Sequence, residues 1–142
     1  MTDIDTQFLE RCIQALGRAL TFLQDSEPDS IEYEMYRLAC IKEFEIILEQ
    51  SGKLLKKTLK PYFHSNKAAD KLIFKDIFRQ AALHSIISLE ETERWLNYRD
   101  NRNTTAHDYG LGFAEDTLKV LPQFIMDAKS LVIAIDKQNQ HD

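Results

Sequence analysis

The chain has 142 residues, of which 44% are hydrophobic and 29% are charged, which is enough for one domain with a hydrophobic core. Only four glycines and three prolines occur, a composition that disfavours β-sandwiches, barrels and other folds with many tight turns. The 18 basic and 23 acidic residues give a net charge of -5, so the chain is not a general nucleic-acid coat, and any RNA or DNA site must be local.

Apolar residues recur every three or four positions over residues 5 to 25, which predicts a first amphipathic helix. A break at Pro28 follows, and the same spacing then continues until Pro61, which predicts a second helix of about thirty residues. Residues 62 to 69 are polar and are predicted to form the main loop, with Asp70 or a near neighbour capping the next helix.

A short third helix is predicted over residues 72 to 81, again from the apolar spacing. Ser88 and Glu91 fit a capping box, in which the serine accepts from the third amide and the glutamate reaches back. A fourth helix is therefore predicted to start at Ser88, and it carries Leu89, Trp95 and further apolar residues.

The fourth helix is predicted to fray at Gly110 and Gly112, since glycine tolerates the left-handed geometry of helix ends. A fifth helix is predicted over residues 114 to 137, with a kink or restart near Pro122. Such helices can bury their apolar stripes only against one another. The fold class predicted is all-α, an antiparallel bundle of four to five helices, with residues 1 to 142 forming a single domain.

Cys12 and Cys40 lie in apolar helical registers without a CxxC pattern, so we expect two buried, reduced thiols. No apolar run approaches the length of a membrane span, and the first residues are acidic where a secretory signal would be basic. We therefore expect the protein to be cytoplasmic and to have no membrane partner. None of the common nucleotide, metalloprotease or calcium motifs occurs, and the four histidines lack ligand spacing, so no metal and no cofactor are expected.

Residues 98 to 109 form a dense polar run where a bundle helix should still offer apolar residues. Arg102 and His107 diverge by about 140° on an ideal helix, so they meet only if the last turn loosens or a second subunit completes the site. Two copies of such a pair suit RNA transesterification, with imidazoles as base and acid and guanidinium on the phosphoryl oxygens. The alternative is that these polar residues are only helix caps and solvated pairs.

The run from Arg102 to Tyr109 resembles the R-x4-H-x-Y motif of HEPN domains, the all-helical partners of minimal nucleotidyltransferases. Within that group it is similar to the nucleotidyltransferase substrate-binding branch, which overlaps with the HepT toxins. The resemblance extends along nearly the whole chain, through Glu43-Phe44-Glu45 and Lys53-Leu54-Leu55-Lys56 of the second helix, Phe78-Arg79-Gln80-Ala81-Ala82 of the third, and Trp95-Leu96 of the fourth.

This resemblance implies a metal-independent endoribonuclease toxin that acts on RNA, with tRNA as the expected substrate, at the cleft of a homodimer. It implies Arg102 and His107 as catalytic residues, with Asn103 in a supporting role. It also implies that a cognate nucleotidyltransferase antitoxin attaches AMP to Tyr109 and so silences the toxin. Two other functions stay open: a non-catalytic substrate-binding or regulatory subunit of the nucleotidyltransferase, and a bundle whose motif merely packs a dimer.

One region of the chain is strongly basic and contains aromatic residues, so it could contact RNA phosphates. An ordinary solvated helix face explains the same pattern equally well. By contrast, Phe74, Phe78 and Trp95 are predicted to be core residues rather than base-stacking platforms, because they recur at helical spacing. The candidate RNA-binding residues are Lys53, Lys56, Lys57, Lys60 and Lys67, followed along the chain by Lys71, Lys75 and Arg79.

Overall fold

The computed structural model describes residues 3–105 and 111–140, and within them the side chains of residues 3–102 and 115–139. All the regular secondary structure in the described part of the chain is helical, which confirms the predicted all-α class, and there are six α-helices rather than four or five. These are α1 (Gln7–Gln24), α2 (Ile31–Leu59), α3 (Asn66–Asp70), α4 (Phe74–Leu83), α5 (Leu89–Thr105) and α6 (Leu111–Gln140), with a 3-10 turn (Lys60–Tyr62) after α2.

Helices α1 and α2 form an antiparallel hairpin close to the predicted boundaries. At the closed end of the hairpin, the Phe22 and Tyr36 rings stack with their centroids 5.4 Å apart. The Ser30 hydroxyl accepts from the backbone amide of Tyr33 at 3.1 Å, which satisfies one of the free donors at the start of α2. At the other end of α2, Pro61 falls in the 3-10 turn, as expected of a residue that cannot extend an α-helix.

Helix α2 lies at the centre of the bundle and runs parallel to α6. Phe44 packs edge-on against Phe124, with centroids 4.6 Å apart, and farther along both helices the Tyr62 hydroxyl donates to Gln138 Oε1 at 3.3 Å. Trp95 of α5 packs on Phe124 as well, which closes a core of aromatic and aliphatic side chains. Trp95 and Phe78 are fully buried and Phe74 packs partly buried against them, so the three residues are core residues as predicted.

The two ends of the described chain meet at the C-terminal end of α6. The Ile4 backbone N–H donates to Asn139 Oδ1 at 3.0 Å, and the Asn139 side-chain amide donates back to the Ile4 carbonyl at 3.0 Å. One residue pair further in, the Thr6 hydroxyl donates to Asp136 Oδ1 at 3.0 Å. These bonds tie the segment before α1 to the last turns of α6.

The predicted loop over residues 62 to 69 contains a helix. Helix α3 begins within it, and its cap is Ser65, whose hydroxyl accepts from the Ala68 backbone amide at 3.1 Å. The cap predicted at Asp70 or a near neighbour for the next helix is not observed, because Asp70 ends α3 and α4 begins after Ile73 without a side-chain cap. A serine followed within one turn by two alanines is itself typical of a helix start. Helix α3 is too short for the apolar spacing to reveal it.

The capping box at the start of α5 is confirmed. The Glu91 backbone N–H donates to the Ser88 hydroxyl at 3.0 Å, and the Ser88 backbone N–H donates to Glu91 Oε1 at 3.1 Å. Leu89, in the first turn of α5, is 75% exposed, whereas Ile86 and Ile87, just before the cap, are buried.

Helix α6 begins at Leu111, earlier than predicted, so Gly112 lies inside a helix and not at a frayed end. The helix also continues through Pro122 without the predicted restart. The missing N–H of this proline costs a hydrogen bond, but Leu121 and Phe124 beside it are fully buried, and their packing favours the continuous helix. Gly110, the other predicted helix end, lies outside the described residues.

Candidate functional site

Arg102 lies on the last described turns of α5, at the edge of the bundle rather than in its core. Its side chain is 29% exposed, and its Nη2 lies 3.9 Å from Oε1 of Glu49 on α2. Helix α5 places Arg102 two turns beyond the buried Trp95, on nearly the same line of the helix surface. The guanidinium therefore lies where the core gives way to solvent.

Glu49 also binds Arg99, one turn before Arg102. The same Oε1 accepts from Arg99 Nη1 at 2.8 Å, so one carboxylate oxygen faces two guanidinium groups. Arg99 is held from a second side, since its guanidinium carbon lies 4.8 Å above the centre of the Phe74 ring, a cation–π contact. We call Glu49, Arg99 and Arg102 the arginine corner.

Gly52 explains how α4 comes close enough to place Phe74 under Arg99. A methyl group at this position would lie 3.0 Å from Cδ2 of Phe74, closer than such contacts normally allow. Phe74 also packs against Phe78, with ring centroids 4.6 Å apart, so its ring is supported on the side facing the core. Beside the corner, Lys75 of α4 and Asp100 of α5 form an ion pair at 2.7 Å.

Among the residues predicted from the R-x4-H-x-Y motif, Arg102 is the one whose side chain the structure describes. The side chain of Asn103 and the whole of His107 and Tyr109 lie outside the part of the chain described here. The roles predicted for these three residues, and the pairing of two subunits, therefore stay predictions.

The candidate RNA-binding lysines are only partly available. Lys56 donates to the Asp70 carbonyl at 3.3 Å, and Lys60 lies 3.9 Å from the Asp70 carboxylate, so α3 engages two of the five. Lys53, Lys57 and Lys67 are exposed. Farther along, Lys71 is exposed, Lys75 pairs with Asp100, and Arg79 lies 3.6 Å from Asp76. The basic region is thus a mixture of paired and solvated cations, and its role in binding RNA stays a prediction.

A second arginine network, which the sequence did not predict, joins α5 to α6. Arg94 binds Asp127 through both Nε and Nη2, each at 2.8 Å. Tyr98 donates its hydroxyl to the same carboxylate at 2.6 Å, and Gln123 donates to it at 3.2 Å. We call these four residues the Asp127 network. A carboxylate between Phe124 and Ala128, in the apolar stripe of α6, is the signal that could have revealed it.

The protonation states in this network follow from its geometry. Burial acts to raise the pKa of Asp127, but hydrogen bonds from Arg94, Tyr98 and Gln123 outweigh it, and the pKa lies below its ordinary value of 3.8. Burial together with the hydrogen bond to Asp127 raises the pKa of Tyr98 well above its usual range. The carboxylate is therefore ionised and the phenol neutral at physiological pH.

Two open grooves flank the Asp127 network along the seam between α5 and α6. One has a volume of about 570 Å³ and the other about 450 Å³, and Arg94 and Gln123 line both. Asn97 and Asn101 of α5 and Lys119 of α6 line the smaller groove, which extends toward the C-terminal end of α5. The larger groove opens toward the other end, where Met126 and Ile133 of α6 are more than half exposed.

Within residues 3–105 and 111–140, no cluster of three or more histidine, cysteine or acidic side chains could hold a metal ion. Both cysteines are free and buried, as predicted, and burial raises the pKa of the Cys40 thiol to about 11. None of the described helices combines the length and the apolar character needed to cross a bilayer.

The chain is similar to a curated protein and, in its fold, to a solved structure. The chain is 29% identical over 118 residues to a Haemophilus influenzae protein named "Probable ribonuclease HepT", a match that covers 83% of this chain and 79% of the relative. Its fold matches a solved Haemophilus influenzae structure described as the fold of a substrate binding domain of a nucleotidyltransferase. That match has a TM-score of 0.78 at 22% identity and covers 93% of this chain and 99% of the other.

The second comparison, at this level of identity, bears on the fold alone. A match to a family profile covers far more than half of the chain, from residue 5 to residue 137, and includes the motif and both arginine networks. This confirms the resemblance found in the sequence: the chain belongs to the family described as nucleotidyltransferase substrate binding protein like.

Proposed function

We propose that this protein is a metal-independent endoribonuclease toxin, acting as a homodimer on cellular RNA, with tRNA as the substrate. The observation that carries the proposal is the position of Arg102, which is partly exposed beside a second arginine at the edge of the bundle. A buried arginine could not reach a phosphate. The proposal is supported by the R-x4-H-x-Y motif and by a relative that is itself named a probable ribonuclease.

The reaction is a transesterification within the RNA strand. His107 of one subunit takes the proton from a ribose 2′-hydroxyl, whose oxygen attacks the adjacent phosphorus. Arg102 stabilises the negative charge that develops on the phosphoryl oxygens, and Asn103 helps to hold the phosphate. The second His107, in its protonated form, gives its proton to the leaving 5′-oxygen. The products are a 2′,3′-cyclic phosphate and a free 5′-hydroxyl.

Tyr109 is the proposed control point, two residues beyond His107. A partner nucleotidyltransferase would transfer AMP from ATP to the tyrosine hydroxyl, with release of pyrophosphate. The phosphodiester so formed is bulky and negatively charged, and it stands near the position that the RNA phosphate must take. Modification would therefore block the substrate.

Cleavage of labelled total tRNA by the purified protein, in the presence of EDTA, tests this function. We expect His107→Ala to lower the rate of cleavage about 10²- to 10⁴-fold, the usual contribution of a general acid or base. Arg102→Ala should lower it about 10²- to 10³-fold, as for the loss of one charge-stabilising donor. Intact tRNA after incubation with unmodified protein, together with unchanged toxicity of both variants in cells, would refute the proposal.

A second candidate function is favoured by the description of the family itself: a subunit that presents a substrate to a nucleotidyltransferase and cleaves nothing. Intact-mass measurement after co-expression with a candidate nucleotidyltransferase separates the two functions when it is combined with growth. Both functions permit mass increments of one AMP unit that disappear in Tyr109→Phe. Only the ribonuclease predicts that His107→Ala relieves growth inhibition while the bundle and the dimer persist.

A further inference from the structure

The arginine corner differs from an ordinary surface ion pair in where its charges are exposed. The side chain of Glu49 is 56% exposed, whereas those of Arg99 and Arg102 are 24% and 29% exposed. The two cations are thus more buried than the carboxylate that pairs with them, and that carboxylate is the part of the corner most open to solvent.

We infer that Glu49 occupies, in the RNA-free protein, the position that an RNA phosphate takes between Arg99 and Arg102. Arg99 is then a second phosphate-binding residue of the site, and Glu49 is a counter-ion that competes with the substrate. The inference rests on the proposed function in taking RNA as the ligand, but it concerns binding and not the chemical step.

The chemistry of guanidinium groups supports the exchange. Arginine binds carboxylate and phosphate through the same planar fork of N–H donors, so an anion of either class fits. Glu49 uses one oxygen for both arginines, at 2.8 Å from Arg99 and 3.9 Å from Arg102. An RNA phosphate has two non-bridging oxygens, both of which carry charge, and it can direct one of them to each arginine.

The arrangement also keeps small the free energy needed to replace Glu49 by a phosphate. Arg99 stays in place without Glu49, because its guanidinium rests on Phe74 and Phe74 is packed against Phe78. Glu49 is a long, exposed side chain at the surface of α2, and it can rotate into water, where its charge is well solvated. Exposed ion pairs contribute little free energy, so a phosphate needs only a modest advantage to displace this one.

The charges of the chain and of the arginine corner explain why a counter-ion that can be displaced matters at this site. The protein as a whole carries a net charge of -5 and repels RNA at long range. With Glu49 in place, one carboxylate lies against the two guanidinium groups of the corner; when Glu49 has turned away, this competing negative charge is gone. Lys75 does not add to the positive charge of the corner, because Asp100 neutralises it at 2.7 Å.

The test measures binding of fluorescein-labelled total tRNA by anisotropy, with all variants made in His107→Ala protein so that cleavage does not interfere. Glu49→Gln should tighten binding about two- to fivefold, the range expected for removal of one exposed ionic competitor. The matched control is Glu45→Gln, which removes the same charge one turn earlier on α2; a long-range charge effect alone would make the two variants equal.

Arg99 is tested in the same assay. Arg99→Ala should weaken binding about tenfold and reduce the slope of log affinity against log salt by about one, as for the loss of one phosphate contact. Arg99→Lys should recover part of the affinity, because it keeps the charge and loses the fork. A purely structural role of Arg99 would change the midpoint of thermal unfolding and leave the salt slope unaltered.

The inference is overturned if Glu49→Gln binds tRNA no more tightly than Glu45→Gln, if Arg99→Ala leaves the salt slope unchanged, or if His107→Ala protein binds no tRNA at low salt. Failure of the proposed function has a different signature. If the expected changes in binding are found but protein with His107 intact leaves tRNA uncut, the corner binds RNA and the ribonuclease proposal is wrong.

Discussion

Helix α5 carries two arginine–carboxylate networks that differ in which partner is buried. In the Asp127 network the carboxylate is 3% exposed and Arg94 reaches it from the rim, at 37% exposure. In the arginine corner the order is reversed, and the carboxylate is the more exposed partner. A buried acid must keep its donors, because separation would leave a charge without water. An exposed acid can exchange them.

The difference assigns two tasks to one helix. The Asp127 network fixes α5 against α6 through three hydrogen bonds from Arg94 and Tyr98 to a single carboxylate, which also accepts a fourth from Gln123 of its own helix. Arg102 lies eight residues beyond Arg94, which is about 12 Å along the helix axis. The Asp127 network, whose carboxylate is buried, therefore sets the position of α5. The arginine corner, whose carboxylate is exposed, can bind a ligand on the helix held in this way.

The largest loss of stability is expected for Asp127→Ala. Removal of the carboxylate leaves the buried hydroxyl of Tyr98 without its acceptor and frees Arg94 and Gln123, so the free energy of unfolding should fall by about 2 to 4 kcal/mol. Urea denaturation measures this, with Asp116→Ala, an exposed acid of the same helix, as the control. Equal stabilities of the two variants would show that the Asp127 network does not hold the bundle together.

A smaller, pH-dependent effect is expected for Asp127→Asn, which keeps the shape and loses the charge. The pKa of Asp127 is lower in the folded than in the unfolded chain, so its ionised form stabilises the fold above about pH 4, and the benefit is lost as pH falls below that. The deficit of the variant should be about 1 to 2 kcal/mol at pH 7 and should shrink toward pH 2. A deficit that is constant over this range would argue against a lowered pKa.

Tyr98→Phe should cost about 1 kcal/mol, because the ring still packs between Trp95 and Phe124 while one of four hydrogen bonds to Asp127 is lost. Alkaline titration followed by tyrosine absorbance provides a second measurement. The raised pKa keeps Tyr98 neutral near pH 10, so wild type and variant should titrate alike up to unfolding. An extra phenol that ionises near pH 10 in wild type only would contradict this.

The smallest effect on stability is expected for Glu49→Gln. Exposed ion pairs contribute little, so the free energy of unfolding should change by less than about 0.5 kcal/mol even though two arginines lose a partner. Chemical denaturation in low and high salt measures it. A loss as large as that of Asp127→Asn would mean that both networks are structural, and the contrast between them would disappear.

The sequence predicted those parts of the fold that rest on local signals. The apolar spacing located α1 and α2, and the pair Ser88 and Glu91 located the start of α5, because a capping box forms among neighbouring residues. The restart offered for Pro122 was wrong because its tolerance within a helix depends on tertiary packing around Leu121 and Phe124, whereas the kink offered beside it stays a prediction. Helix α3 was missed because it is shorter than the window that a periodic pattern needs.

The site divides in the same way. Arg102 could be singled out by its motif, whereas Glu49 and Arg99 could not, since their association depends on how α2 packs beside α5. Arg99 and Glu49 are fifty residues apart, and Arg94 and Asp127 are thirty-three apart. No local sequence pattern predicts such pairs. An acidic residue within an apolar stripe, as at Asp127, comes nearest to indicating one.

The reciprocal bonds between Ile4 and Asn139 have a practical consequence. They tie the segment before α1 to the C-terminal end of α6, and they involve no residue of the arginine corner. A fluorescent dye attached beside the Ile4–Asn139 hydrogen bonds would report loosening of the whole bundle without obstructing the surface where nucleic acid is expected. Stability and RNA capture could then be followed at once on a single labelled sample.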